Sequence, residues 1–173
     1  EAEEKLASEL GIKEKEISLD DASSQEVIAD VINVCDLYAA PSRIEGFGMI
    51  QVEAMACGKP VISINKGGPS ETIIHNKTGF LAKAAVEVQL TEEWAYPSMG
   101  FATNQIIKFD SPKTFGYRAD IEDLRKYILR LLTDDVLRKE MGEEGRKHAV
   151  ENFDYSVTSR RMLNIIKEKL NLR

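Results

Sequence analysis

The sequence predicts an α/β fold in which helices flank a parallel β-sheet. Two short apolar segments, 37–40 and Val61–Ile64, have the length and composition of buried strands. A helical pattern precedes them, because apolar residues follow the capping sequence at 23–26 with the spacing i, i+3, i+4 and i+7. Strands that alternate with helices at such short intervals are typical of βαβ units, which build parallel sheets.

The remaining elements are predicted from their caps and breakers. A helix over 2–10 that ends at Gly11, and a strand over 16–19, open the chain. A loop with two glycines follows the strand at 37–40 and leads into a helix over 49–57 with Gly58 as its C′ residue. Three more helices with polar N-caps are predicted: 121–132 after Asp120, 134–148 after Thr133, and 155–170 after Asp154.

Composition and charge exclude several classes of function. The 173 residues include 23 Lys and Arg against 29 Asp and Glu, and this net charge of -6 argues against a nucleic-acid partner. No apolar run approaches the roughly 20 residues that cross a bilayer, so no transmembrane segment is predicted. Only Cys35 and Cys57 are present, which favours a cytoplasmic protein over a disulfide framework. Since the chain opens without Met or a signal peptide, we interpret it as part of a longer protein.

The segment 41–58, PSRIEGFGMIQVEAMACG, is the strongest candidate for a binding site. Glycines let the main chain approach a ligand closely, and the N–H groups at a helix start favour an anion such as a diphosphate. Glu45 and Glu53 frame this loop, and ionised carboxylates accept hydrogen bonds from the vicinal hydroxyls of sugars and riboses. The sequence therefore predicts a nucleotide-sugar site without a basic patch.

The spacing of Glu45 and Glu53, with seven residues between them, resembles the E-x7-E motif of retaining glycosyltransferases of the GT-B fold, family 4. The resemblance runs through 36–82 and resumes with the helices after Asp120 and the NFDYS segment at 152–156. It implies a Rossmann-like parallel sheet flanked by helices, which is the C-terminal, donor-binding half of such an enzyme. It also implies that neither a metal nor a cofactor is needed, since the nucleotide-diphosphate sugar is a substrate.

The resemblance assigns roles to single residues. Glu45 corresponds to the catalytic-site residue that accepts hydrogen bonds from the hydroxyls of the donor sugar, and Glu53 to the residue that holds the ribose. The residues expected beside the sugar and diphosphate are Gly46, Phe47, Gly48 and Met49. The residues expected to support this loop are Gly67, Gly68 and Glu71.

The function implied is the transfer of a hexose, with retention, from a nucleotide-diphosphate sugar to a sugar, lipid or small-molecule acceptor. The N-terminal domain of the same enzyme is then a partner, and the fragment alone is expected to be inactive. The family's first strand and helix, with a basic pair for the diphosphate, are expected before Glu1. We interpret the nearby cations Arg43, Lys66 and Lys77 as solvated surface charges.

Two segments depart from this pattern or suggest other functions. The aromatic-rich segment 83–119 is longer than its counterparts, and is either a lid that stacks Trp94 and Tyr96 on a ring or a hydrophobic cluster that pins a loop to the sheet. The last helix, within 155–171, has an apolar stripe that would pack on the missing N-terminal domain or support homo-oligomers. A non-catalytic interaction domain using this stripe is the alternative function.

Three further interpretations concern individual side chains. Glu45 and Glu53 could form the acid/base pair of a hydrolase, although nothing in the sequence shows that they converge on one bond. His75 is interpreted as a residue of a turn, and Cys57 as a packed side chain at a helix end.

Overall fold

Three short strands form a parallel sheet in the order β1-β2-β3. A computed structural model describes Gly11 and residues 24–171 of the chain, and the helix predicted over 2–10 and the strand predicted over 16–19 lie outside these residues. The strands are β1 (Tyr38–Ala39), β2 (Val61–Ile64) and β3 (Gly79–Ala82). Tyr38 is opposite Val61 in the register, and the α/β fold with a parallel sheet is confirmed.

Helices connect and cover the strands, as the alternating pattern predicts. The six α-helices of the described residues are α1 (Gln25–Asn33), α2 (Met49–Ala56), α3 (Pro69–Thr72), α4 (Ile121–Thr133), α5 (Asp135–Phe153) and α6 (Tyr155–Lys169). None of the helices in this part of the chain combines the length and the apolar character that a bilayer span requires.

The two faces of the sheet are buried in separate clusters. Alternate residues of a strand point to opposite faces, and β2 places Val61 on one side and Ile62 on the other. The cluster around Val61 joins the sheet to α1, α2 and α5: Ile32, Ala54, Met55, Ile73, Leu81 and Ala149. The cluster around Ile62 joins the sheet to α4 and α5: Phe80, Leu131 and Met141. All four residues of β2 are buried, which explains why three of them are β-branched apolar residues, and the hydroxyl of the fourth, Ser63, has a hydrogen-bond partner.

The cap of α4 is the predicted residue, whereas the cap of α5 is not. Asp120 caps α4 as predicted, because its carboxylate accepts a hydrogen bond from the N–H of Asp123 at 2.9 Å. The cap of α5 is Asp134, which accepts from the N–H of Leu137, and the prediction of Thr133 is wrong. Thr133 is instead the last residue of α4, where its hydroxyl donates to the carbonyl of Leu129.

Helix α5 is also longer than predicted, since it continues beyond His148 to Phe153. The amide of Asn152 donates to the carbonyl of His148 one turn earlier, and the helix ends only at Asp154. Asp154 then caps α6 as predicted, accepting from the N–H of Ser156 at 2.8 Å.

The segment 83–119 is an antiparallel two-stranded ribbon, formed by β4 (Ala84–Ala95) and β5 (Gln105–Ala119). It is neither an unstructured loop nor a buried cluster, because in the ribbon, all of which the structure describes, only Ala95 and Gly116 are buried. Both faces of most of the ribbon meet solvent, so no core selects an alternating apolar pattern. Three irregularities in the pairing register disturb any period further.

Helix α6 lies at the surface, and each of its residues is exposed except Val157, which is half-buried. Its large apolar side chains are among the exposed ones: Met162, Leu163, Ile165 and Ile166. The apolar stripe predicted for this helix is therefore present and uncovered by the described residues.

Candidate functional site

The candidate site begins where β1 ends. The N–H of Ala40 donates to the carbonyl of Ile62, which is the last sheet-like hydrogen bond of this strand. The hydroxyl of Ser63 donates to the carbonyl of Ala40 at 2.9 Å and fixes the point at which the chain leaves the sheet. The loop that follows therefore lies at the carboxyl end of a parallel strand, where open α/β sheets bind their ligands.

Glu45 and Gly48 together set the start of α2. Gly48 is the N-cap residue and has a φ of +91°, a left-handed conformation that glycine adopts without strain. Its N–H donates to Oε1 of Glu45 at 2.9 Å, so the carboxylate lies at the N-terminus of the helix, where the helix dipole favours a negative charge. The loop geometry thus fixes the direction of the Glu45 side chain.

Gly67 and Gly68 support this loop from the adjoining turn between β2 and α3. The N–H of Gly68 donates to the carbonyl of Glu45 at 3.1 Å. A Cβ atom at Gly67 would lie 2.5 Å from that same carbonyl oxygen, and a Cβ atom at Gly68 would overlap the main chain of Phe47. The two turns approach each other so closely that only glycine fits, which agrees with the predicted supporting role.

An aromatic cluster packs under the same loop. The ring of Phe47 meets that of Phe153 edge-on, with 5.9 Å between centroids, and Phe153 meets His148 in the same way at 5.3 Å. A ring nitrogen of His148 is 3.1 Å from the carbonyl oxygen of Thr72. The NFDYS segment at 152–156 therefore supports the loop through Phe153, a role that could not be assigned to it from the sequence alone.

The ribbon packs on the loop from a third direction. The N–H of Tyr117 in β5 donates to the carbonyl of Arg43 at 3.0 Å. A Cβ atom at Gly116 would lie 2.5 Å from the same oxygen, so the two backbones are in direct contact. The loop that carries Glu45 is consequently held between the turn at Gly67 and the ribbon.

A cavity of about 120 Å³, which we call the Glu45 cavity, opens where these three segments meet. It is lined by residues 42–45 of the loop, Ile64, Lys66 and Gly67 after β2, and residues 115–117 of the ribbon. The ammonium of Lys66 lies 4.8 Å from the centre of the Tyr117 ring, a cation–π contact. Lys66, interpreted from the sequence as a solvated charge, thus belongs to the wall of this cavity although its side chain remains exposed.

Glu53 lies in a different depression, a groove of about 360 Å³ between α1 and α2. The residues of this Glu53 groove are Glu53, Ala56 and Cys57 of the α2 region and Gln25, Glu26, Ile28, Ala29 and Ile32 of α1. The structure therefore does not bring the two glutamates into one cavity.

Tyr38 connects the two glutamates electrostatically. Burial raises the pKa of the Tyr38 hydroxyl, and the negative charges of Glu45 and Glu53 raise this pKa further. Both carboxylates are thus close enough to Tyr38, at the end of β1, to affect its titration. Tyr38 had no role in the sequence analysis, since nothing in its local sequence marks it as a neighbour of both.

The other predicted site residues take varied positions. The side chains of Phe47 and Met49 are exposed, as is the whole of Gly46, and a Cβ atom at Gly46 would meet no neighbour within 4 Å. Main-chain groups at these positions can therefore be reached by a ligand. Among the described residues no group of His, Cys, Asp and Glu side chains is arranged to hold a metal ion, and metal independence stays a prediction.

Two residues singled out in the sequence have structural contacts. Nδ1 of His75 accepts a hydrogen bond from the N–H of Leu81 at 2.9 Å, and its ring packs edge-on against Phe80 and Tyr127. Lys77, one of the three nearby cations, pairs with Glu144 at 3.2 Å. Neither residue lines the Glu45 cavity.

Comparison with curated proteins finds glycosyltransferases. Residues 1–93 match the family described as Glycosyl transferases group 1. An uncharacterized glycosyltransferase of Methanocaldococcus jannaschii is 31% identical over 124 residues, which is 72% of this chain and 26% of that protein. A D-inositol 3-phosphate glycosyltransferase of Rhodococcus opacus is 40% identical over 90 residues, 52% of this chain and 19% of that protein. The chain thus spans about a quarter or less of the length of these relatives.

Solved structures show the same fold. A sucrose-phosphate synthase of Thermosynechococcus elongatus matches 98% of this chain and 34% of its own, with a TM-score of 0.66 at 22% identity. The HepE protein of Anabaena, solved in complex with UDP-glucose, matches 96% of this chain and 36% of its own, with a TM-score of 0.65 at 20% identity. The prediction of a Rossmann-like sheet of the GT-B type is thereby confirmed. Because more than half of its residues match this family, the chain belongs to the glycosyl transferases group 1 family.

Proposed function

We propose that this chain is the donor-binding domain of a retaining glycosyltransferase, which transfers a hexose from a nucleotide-diphosphate sugar to an acceptor. One observation carries the proposal: the loop between β1 and α2 holds Glu45 at the N-terminus of α2, and Glu53 lies within that same helix. The family membership limits the chemistry to glycosyl transfer, and the spacing of the two glutamates supports the retaining class.

The start of α2 suits a diphosphate. In any α-helix the first N–H groups have no main-chain acceptor within the helix, and here they include those of Met49 and Ile50. Those free donors and the helix dipole attract an anion. The absence of a side chain on the exposed Gly46 leaves the main chain there open to close approach, whereas Gly48 is buried and its N–H is donated to Glu45. An acidic chain can therefore bind a diphosphate here through main-chain groups.

The two carboxylates suit the two hydroxyl-bearing parts of the donor. Glu45 uses one oxygen for Gly48 and has roughly three of its four lone-pair sites left for sugar hydroxyls. Glu53 is half-buried in its groove and would accept from the ribose. Since they lie in separate depressions, an extended ligand that spans the loop fits this arrangement better than a single bond held between two acid/base groups. This favours a transferase over the hydrolase interpretation.

The similar proteins point to the same class of ligand. The Anabaena protein was solved with UDP-glucose, a nucleotide-diphosphate sugar. This chain matches about a third of that structure, and we propose that the rest of the enzyme, an N-terminal domain, supplies the acceptor site and closes over the donor. Neither a metal nor a cofactor takes part in this proposal.

Calorimetric titration of the full chain with UDP, GDP, UDP-glucose and GDP-mannose tests the proposal. At least one nucleotide diphosphate and its sugar form should bind, and Glu53→Gln should weaken both by about tenfold or more through the lost charge-assisted hydrogen bonds. Glu143→Gln on the exposed side of α5 is the matched control and should change neither affinity. Failure of the unaltered chain to bind any of the four ligands would overturn the proposal.

A second candidate function rests on α6. Because the described residues leave its aliphatic side chains exposed, the helix can cover a protein surface without any catalysis by this chain. A chain that binds partners through α6 but binds no nucleotide would favour this interaction domain.

A further inference from the structure

We propose that residues 115–117, which we call the base of the ribbon, form one wall of the sugar-binding part of the site. Within this wall, Tyr117 contacts the transferred sugar and contributes to its selection. This inference rests on the proposed function, since it assumes that a nucleotide sugar occupies the loop beside Glu45. It concerns residues that lie outside the segment matched to the family, which ends at residue 93 within β4.

The first step is that the ribbon cannot move independently of the Glu45 loop. The Tyr117 N–H donates to the Arg43 carbonyl, and the buried Gly116 leaves no room for a side chain against the same oxygen. Two residues before Glu45 the loop is therefore in main-chain contact with β5. Any side chain at the base of the ribbon is positioned as firmly as the loop itself.

The second step is that the ribbon is irregular at this point. Val88 pairs with Gly116 and Gln89 with Thr114, so Phe115 has no partner across the ribbon. Such a bulge re-aims side chains, and bulges are frequent beside active sites. Phe115 and Tyr117, two residues apart on this strand, both line the Glu45 cavity.

The third step is the chemistry of the cavity. The lining of the cavity includes two aromatic residues, Phe115 and Tyr117, from the ribbon and the acidic residue Glu45 from the loop. A hexose has faces of C–H groups, which pack on aromatic rings, and hydroxyl groups, which donate to carboxylates. The volume of the Glu45 cavity, about 120 Å³, equals that of about four waters in the liquid. This space suffices for part of a sugar ring.

The fourth step is the contact between Lys66 and Tyr117. The ammonium 4.8 Å from the ring centre attracts the ring electrostatically and restricts its orientation. Lys66 directly precedes Gly67, which itself contacts the carbonyl of Glu45. The aromatic wall is therefore held from the ribbon side through Gly116 and from the sheet side through Lys66.

Titration of the full chain with a nucleotide diphosphate and with its sugar form, UDP with UDP-glucose or GDP with GDP-mannose, tests the inference. Tyr117→Ala should raise the Kd for the sugar form about three- to tenfold, the range of an aromatic contact, and leave the Kd for the free diphosphate within about twofold. Tyr117→Phe keeps the ring and should bind both nearly as the unaltered chain does. Met99→Ala, on the far turn of the ribbon, is the control and should change neither.

The outcomes separate this inference from the proposed function. If the unaltered chain binds both ligands and Tyr117→Ala changes neither affinity, or weakens both equally, the inference is wrong and the proposed function stands. Binding of neither ligand by the unaltered chain overturns both. Lys66→Met leaves the ribbon backbone untouched and should also weaken the binding of the sugar form alone. If Tyr117→Ala does not fold, this variant replaces it, and an unchanged affinity for the sugar form would contradict the inference.

Discussion

Oε1 of Glu45 lies 2.9 Å from the main-chain nitrogen of Gly48 and accepts its hydrogen bond. One side chain therefore caps a helix and, under the proposed function, uses its remaining lone pairs to bind the donor. The capping contact explains why the carboxylate has a fixed direction before any ligand binds. A pre-oriented acceptor loses less conformational entropy on binding than a free side chain does.

Substitutions of Glu45 should separate these two roles. Glu45→Gln keeps an oxygen that can accept from Gly48, so stability should change little, whereas Glu45→Ala should cost about 0.5–2 kcal/mol as other lost caps do. Both should weaken the binding of a nucleotide sugar. Urea unfolding and calorimetry measure the two effects. Equal losses of stability in the two variants would contradict the capping role, and an unchanged affinity in both would contradict the donor-binding role.

Replacement by alanine should affect stability very differently at Gly68, in the turn that supports the loop, and at Gly46, in the loop itself. Gly68→Ala places a methyl group into the main chain of Phe47 and should destabilise the chain by about 1–3 kcal/mol, as overpacking does. Gly46→Ala is the matched comparison, because a Cβ atom there meets nothing within 4 Å, and its effect on stability should stay within about 0.5 kcal/mol. Thermal and urea unfolding of the two variants should reveal this difference, and equal stabilities would refute the close packing of the two turns.

The pKa of Tyr38 reports on both glutamates. Because burial, Glu45 and Glu53 each raise this pKa, Glu45→Gln and Glu53→Gln should each lower it toward the ordinary tyrosine value of about 10. Spectrophotometric titration near alkaline pH, with Tyr38→Phe subtracted, measures the shift. A pKa that responds to neither substitution would contradict the proximity of Tyr38 to the two carboxylates.

The same shift predicts how stability depends on pH. The folded state raises the pKa of Tyr38 above its unfolded value, so this residue's contribution is fully present below about pH 10 and is lost as pH rises through the raised value. Tyr38→Phe should reduce the alkaline loss of stability. Urea unfolding at neutral and alkaline pH measures it, and the same slope in both chains would contradict the assignment.

The exposed face of α6 should cause self-association of the isolated chain. Leu163 and Ile166 lie on this face, so replacing both with Glu should lower the concentration-dependent light scattering, since charge opposes burial of the face. Lys167→Glu, on the same helix, is the control for added negative charge. Scattering of a monomer at every concentration in the unaltered chain would show that the face does not associate with itself.

The sheet and the loop could be predicted from the sequence because their signals are local. Val61–Ile64 is apolar at every position except Ser63, and Gly48 and Gly58 mark the two ends of α2. The order β1-β2-β3 follows from the parallel pairing of successive strands. Local patterns of this kind depend on a few neighbouring residues, so they need no knowledge of the distant chain.

The contacts that build the Glu45 cavity could not be predicted in the same way. Lys66 and Gly116 line this cavity from segments that are distant in sequence from Glu45, and neither has a local pattern that indicates its partner. The ribbon was missed because exposed strands need no alternating pattern, and the cap of α5 because Thr133 and Asp134 both suit that position. The close approach of the two backbones explains why residue 116 is a glycine, but the glycine alone does not indicate that Arg43 faces it.

The two ends of the ribbon lie next to each other, between β3 and α4. The N–H of Asp120 donates to the carbonyl of Lys83 at 2.8 Å, and the N–H of Lys83 donates to the carboxylate of Asp123 at 3.0 Å. Both ends of the insertion therefore meet where a short connection between β3 and α4 would otherwise run. Such a junction allows the ribbon to be lengthened, shortened or exchanged while the core stays intact. Under the proposed function, exchange of this one hairpin would change the preference for a sugar without altering the Glu45 loop.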